Sequence, residues 1–377
     1  MGRRVEVPIT PSVLRWAIAE SGYTEPEVSS WIDGGEQTLA AWLEGTSRPS
    51  LTEMKDVAGR LHRQMATFLL PAPPADAEMS VKFRHPLGGK QRSLNPIERR
   101  YVRRARRLQD AHAWLLAELG QPSLDIPRVS LAASPEDTGK HIRELLGVGL
   151  EQQFEWRSAS AAFDAWRDAI ERLGIVVVLF PMGNASCRGF SIWSDAAPLI
   201  AVNTAWKDEA RIFTLFHELG HLVTRTDSAC ALGDVATGTP DEPAERWCET
   251  FAAAVVIPIG GAGRLPGVTE LRHLGRLANQ YKVSLRAMAI RLIGDGKATW
   301  SLYRSIPAAA DNKREGGGGG TGRNRREIRE DEFGHRGTGV FVEAVRREVI
   351  TTSQALDYLD IPVAEFAQLE HAASPRR

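Results

Sequence analysis

A mostly α fold with a small sheet (α+β) is predicted by three features of the sequence. Apolar residues recur at three- and four-residue spacing over most of the chain, and strand-like runs are confined to the middle, near residues 175–180, 189–193 and 199–203. Two compositional breaks, a Pro/Ala stretch at 71–77 and the unbroken glycines of 316–320, divide the rest. For 377 residues these breaks give five segments. They are a helical domain at 1–72, a linker with a basic helix at 73–125, an α+β domain at 126–310, a Gly-rich linker at 311–330, and a small helical segment at 331–377.

The N-terminal domain reads as short helices. Val13, Leu14, Ala17 and Ile18 form one apolar face before Gly22, and Val28, Trp31 and Ile32 form another before Gly34 and Gly35. Leu39, Trp42 and Leu43 stop at Gly45, and Leu51, Met54, Val57, Ala58 and Leu61 form a last stripe. With Gly22-Tyr23-Thr24 and the tail Trp42-x-x-Gly45-x-x-x-Pro49, these residues resemble the phage-repressor-like (XRE-type) helix-turn-helix family. The resemblance covers about sixty residues and implies that the helix starting near Glu36 is a recognition helix. Gln37 and Thr38 would then face bases, with Arg48 as a further DNA contact.

Charge complicates that reading. Lys and Arg equal Asp and Glu at 47 each, so no global field draws nucleic acid or an acidic membrane to the chain. Residues 1–70 hold seven basic side chains against nine acidic ones. Residues 80–110 reverse the balance with ten basic against two acidic, many of them in the run Arg99 to Arg107. Two readings stand: a solvated helix face, or a backbone-tracking arm in which Arg103 and Arg104 touch phosphates. Three cysteines without CxxC spacing exclude a disulfide framework and a cysteine-rich metal knuckle. No apolar run is long enough to span a bilayer, and residues 1–10 lack the apolar core of a signal peptide, so a cytoplasmic protein with no membrane contact is expected.

In the α+β domain, a helix at about 158–173 precedes the three strands. A helix beginning near Asp208, taken as its cap, continues to about 225, and further helices follow at about 241–256, 268–281 and 284–293. His217-Glu218-Leu219-Gly220-His221 lies in the middle of the 208–225 helix. Histidines at i and i+4 share one face, so two imidazoles converge on one metal while Glu218 reaches a water beside it. The spacing suits zinc hydrolysis, with Glu218 as general base. A third ligand has two candidates. Asp227 stands six residues past His221; Glu245 lies on the next helix, with Glu249 one turn on, placed to accept a ring N–H from a ligating histidine. Cys248 reads as a buried small side chain.

This pattern resembles the ImmA/IrrE family of metallo-endopeptidases. The matching residues are Pro198 to Asn203, Arg211, Phe213, the His217 to His221 motif, Glu245 with Phe251-Ala252-Ala253, and Val256-Ile257-Pro258. The resemblance spans about 130–295 and implies Zn2+ held by His217, His221 and Glu245. It also implies a substrate that is a repressor or small regulator, possible product of an adjacent gene. Cys248-Glu249 departs from the usual alanine followed by asparagine or aspartate. The strand Leu199 to Asn203, through Ile200, Val202 and Asn203, is either the edge on which an extended substrate pairs or an interior strand. Residues 271–293 resemble a helix-turn-helix-like pair of the same family. Two functions follow: a zinc-dependent regulatory endopeptidase coupled to a DNA-binding-type domain, or a non-proteolytic regulator or antitoxin-like protein using the fold as a scaffold.

Overall fold

The computed structural model describes residues 5–74, 94–121, 126–226, 243–258, 266–308, 310 and 325–372. The glycine run, Asp227, Cys230 and the basic residues Lys82, Arg84, Lys90 and Arg92 lie outside the described residues. Those described form two compact units, one of 5–74 with 94–104 and the other from 105 onward. Among them no helix is long and apolar enough to cross a membrane.

In the first unit, α1 (Pro11–Ser21) opens on a proline and ends at Gly22, whose φ of 81° and contact with Arg99 leave no room for a Cβ. Capping boxes start α2 (Glu25–Ser29) at Thr24 and α4 (Leu51–Arg60) at Ser50, while α3 (Gly35–Glu44) runs between left-handed glycines at 34 and 45. Leu14, Ala17, Val28, Leu39, Trp42, Met54, Val57 and Phe68 form its core. The helix α5 (Pro96–Glu118) gives its first turns to this unit and the rest to the second.

Most of the basic run on α5 is half-buried. Arg99, Arg100, Arg103, Arg104 and Arg106 are all half-buried, and Arg107 alone of that run is exposed. Arg103 donates to Glu20 O at 3.1 Å and Arg99 to the same oxygen, so both cations cap the C-terminus of α1. Burial and neighbouring Arg63 bring the Arg103 guanidinium down to about 10.

The second unit continues with α6 (Pro135–Leu146), α7 (Leu150–Glu155) and α8 (Ala159–Arg172), the last capped by Ser158. The sheet holds β1 (Val176–Phe180), β2 (Gly189–Ile192) and β3 (Leu199–Asn203) in the order β1-β3-β2, with β1 parallel and β2 antiparallel to β3. Next come α9 (Asp208–Thr224) and α10 (Pro243–Val256), then α11 (Leu271–Tyr281), α12 (Leu285–Gly294) and α13 (Trp300–Arg304). Lys207, not Asp208, holds the N-cap position of α9; Asp208 instead takes Arg211 Nη1 at 2.8 Å.

The C-terminal segment is part of this unit. It forms α14 (Arg325–Arg346), α15 (Thr352–Leu359) and α16 (Val363–Ala372), so helix begins inside the expected 311–330 linker. Buried Arg167 ties α14 to β1, donating to Val177 O at 2.5 Å and Asp331 O at 2.7 Å. Buried His112 on α5 lies 3.1 Å from Gly337 O.

Candidate metal centre

The helix α9 is buried along nearly its whole length, which an HExxH helix tolerates because its polar residues meet one another rather than oil. His217, Glu218 and His221 are 6%, 0% and 1% exposed. Against this face packs α10, and Gly220 permits the approach: a Cβ there would lie 3.0 Å from Cys248 Sγ and 3.2 Å from Phe251. The far end of α10 is clamped through its carbonyls. Arg143 donates to Val255 O at 2.7 Å, Gln153 to Val256 O at 3.0 Å, and Arg291 to Ile257 O at 3.0 Å. With its C-terminus fixed, the first turn of α10 delivers Glu245 to the two rings.

Glu245 Oε2 lies 3.1 Å from His217 Nε2 and Oε1 lies 3.4 Å from His221 Nε2, while the two Nε2 atoms are 3.1 Å apart. Ligands bound tetrahedrally at about 2.0–2.1 Å stand about 3.3 Å from each other, so this donor set fits one zinc-sized cation. The electrostatics agree. Burial opposes charge on Glu245, yet hydrogen bonds from both imidazoles hold its carboxyl well below the usual range. Burial likewise opposes charge on His217, but Glu245, Glu218 and Glu249 together push its pKa up. Three carboxylates around two imidazoles ask for a cation.

Glu218, buried between the histidines in sequence, sits against the sheet: a Cβ on Gly189 would lie 3.4 Å from Glu218 Cγ and 2.6 Å from Thr214 Cγ2. Glu249 differs from expectation. Among the described residues it makes no hydrogen bond to either ring; burial and Glu245 raise its pKa, and it acts on His217 through charge alone. The ring partner is Thr226, whose Oγ1 lies 2.9 Å from His221 Nδ1. Cys248 is fully buried and its thiol is pushed well up by burial and the nearby carboxylates, so it stays a protonated small side chain beside the ligands.

Leu199 to Asn203 is the middle strand, bonded on both sides, which corrects the substrate-edge expectation for Ile200, Val202 and Asn203. Ile200 and Val202 are fully buried. Asn203 is saturated locally, donating to Gly183 O and Cys187 O and accepting from the amides of Met182 and Ala205. Arg211 is structural, donating to Thr204 O at 2.7 Å and pairing with Asp208. In the first unit, Gln37, Thr38 and Arg48 line one open concavity with Glu6 and Ser47, whereas Arg103 is spent on α1.

Residues 170–292, a third of the chain, match the family model described as IrrE N-terminal-like domain (Peptidase_M78), a metallopeptidase-family domain. That span holds the three strands and the His217, Glu218, His221 and Glu245 cluster. No curated protein and no solved structure matches the chain.

Proposed function

We propose that this chain is a zinc-dependent endopeptidase that cleaves a repressor or small regulatory protein, and that its N-terminal unit is a DNA-binding-type module. The observation that carries the reading is the convergence of ligand atoms from His217, His221 and Glu245 within 4.8 Å of one another, next to buried Glu218. Bound Zn2+ would supply Lewis acidity toward a scissile carbonyl and acidify a water. The protein's own part is then positional and proton-handling. Glu218 takes a proton from the attacking water as its oxygen bonds to the carbonyl carbon; the C–N bond breaks, and the same carboxyl returns the proton to the leaving amine.

Gly189 brings β2 against Glu218, so this end of the sheet walls the site past which an extended peptide would run. Metal analysis of the purified chain, followed by incubation of the zinc-loaded form with the adjacent gene's product, tests the proposal. Stoichiometric zinc and discrete fragments support it; a chain that takes up no zinc overturns it.

A further inference from the structure

The turn that ends α9 returns a hydroxyl to the far nitrogen of a ligand ring. Arg225 adopts φ 56°, a left-handed position that favours glycine, and Thr226 N donates to His221 O at 3.1 Å, closing a Schellman turn. Arg225 holds the conformation from outside, with its guanidinium 3.2 Å from the Trp193 ring centroid and a hydrogen bond to Ile126 O at 3.1 Å. Thr226 Oγ1 then lies 2.9 Å from His221 Nδ1 and 2.8 Å from Thr224 Oγ1. Thr224 Oγ1 donates to Gly220 O at 2.8 Å, with His221 O at 3.3 Å.

Each hydroxyl carries one proton, so the far end fixes the direction of the chain. Carbonyl oxygens only accept; Thr224 gives its proton to Gly220 O and so accepts from Thr226. Thr226 has no second proton and must accept from Nδ1–H. When a cation replaces the hydrogen bond that the ring gives Glu245, an imidazole protonated at Nδ1 offers its lone pair on Nε2, the nitrogen that faces His217 and Glu245.

We propose that Thr226 is a positioning residue: through Thr224 and Gly220 it holds His221 in the Nδ1–H tautomer and ring orientation that a divalent cation between His217, His221 and Glu245 requires. The inference rests on the metal-site reading above. It assigns the support of His221 to a hydroxyl on the same helix end, not to the carboxylate of Glu249. The backbone turn itself needs no hydroxyl, so the side chain can be changed without undoing it.

In the full-length chain, Thr226→Val keeps the shape and removes the acceptor, and Thr226→Ser restores it. Competition for Zn2+ against a chelator should show about ten- to a hundredfold weaker binding for the valine variant. The serine variant should stay within about threefold of the parent. In the zinc-loaded protein, the His221 Nδ1–H proton should exchange slowly with solvent in the parent and the serine variant and fast in the valine variant, as NMR reads directly. Thermal melting of all three should coincide. A valine variant that binds zinc like the parent, or a serine variant as weak as valine, would overturn the proposal. If the parent itself binds no zinc, the metal reading fails and this proposal with it; a parent that binds zinc while valine matches it sinks the proposal alone.

Discussion

His217, Glu218, His221 and Glu245 work as one charge-balanced group, so removing any of them acts on the others. Glu245→Ala leaves two neutral donors and should lower bound zinc to a small fraction of stoichiometric, while Asp227→Ala should leave it unchanged; metal analysis of both reads the difference. The opposite order would move the third ligand to Asp227. At this scale the sequence was highly legible, because i, i+4 spacing fixes which side chains share a helix face before any tertiary contact is known. Thr226 was not legible, since its contact depends on a left-handed turn formed by arginine, which nothing in the spacing announces. Glu249 misled for a related reason: a shared face places it near the rings, but side-chain reach decides the hydrogen bond.

Elements, more than residues, carry the geometry of the site. The clamps on the C-terminus of α10 and the small residues at Gly189 and Gly220 let a strand and two helices meet closely enough for the donor set to form. A Cβ at Gly189 would lie 2.8 Å from Ala201 O, a backbone atom that cannot yield without moving β3. Gly189→Ala should therefore cost about 1–3 kcal/mol of stability by overpacking. Zinc content should stay at the parent level, because none of the three ligands is among the atoms the new Cβ meets. Urea melts and metal analysis check both halves. Some elements were readable from periodicity almost to the residue, as with Ser158 ahead of α8 and Ser284 ahead of α12, whereas α6, α7 and α13 were not anticipated and α14 begins inside the expected linker. Strand order was not, because period-2 patterning marks a buried strand without saying which neighbours bury it. The Leu199 to Asn203 run is apolar on both faces for that reason and proves central.

Across the whole molecule, the described residues form two units. The first unit has exposed Gln37 and Arg48 beside a concavity, while Arg99 and Arg103 on α5 donate to Glu20 O within it. If it binds duplex DNA, Arg48→Ala should weaken binding and reduce the salt slope by about one. Arg103→Ala should leave that slope unchanged and lower the unit's stability by about 1–2 kcal/mol, since it uncaps α1. Titrations of the full-length chain at several salt concentrations distinguish the two; a slope lost with Arg103 would restore the arm reading. The domain plan was partly legible. The C-terminal helices join the second unit through Arg167 and His112, contacts between residues far apart in sequence that composition does not announce. The claim that binds these scales together is proton transfer by Glu218 at a zinc site. Glu218→Gln keeps size and leaves all three ligands, so the variant should retain full zinc and fold yet cleave its substrate at least about a hundredfold more slowly. Fragment release at the parental rate by zinc-loaded Glu218→Gln protein would contradict the account.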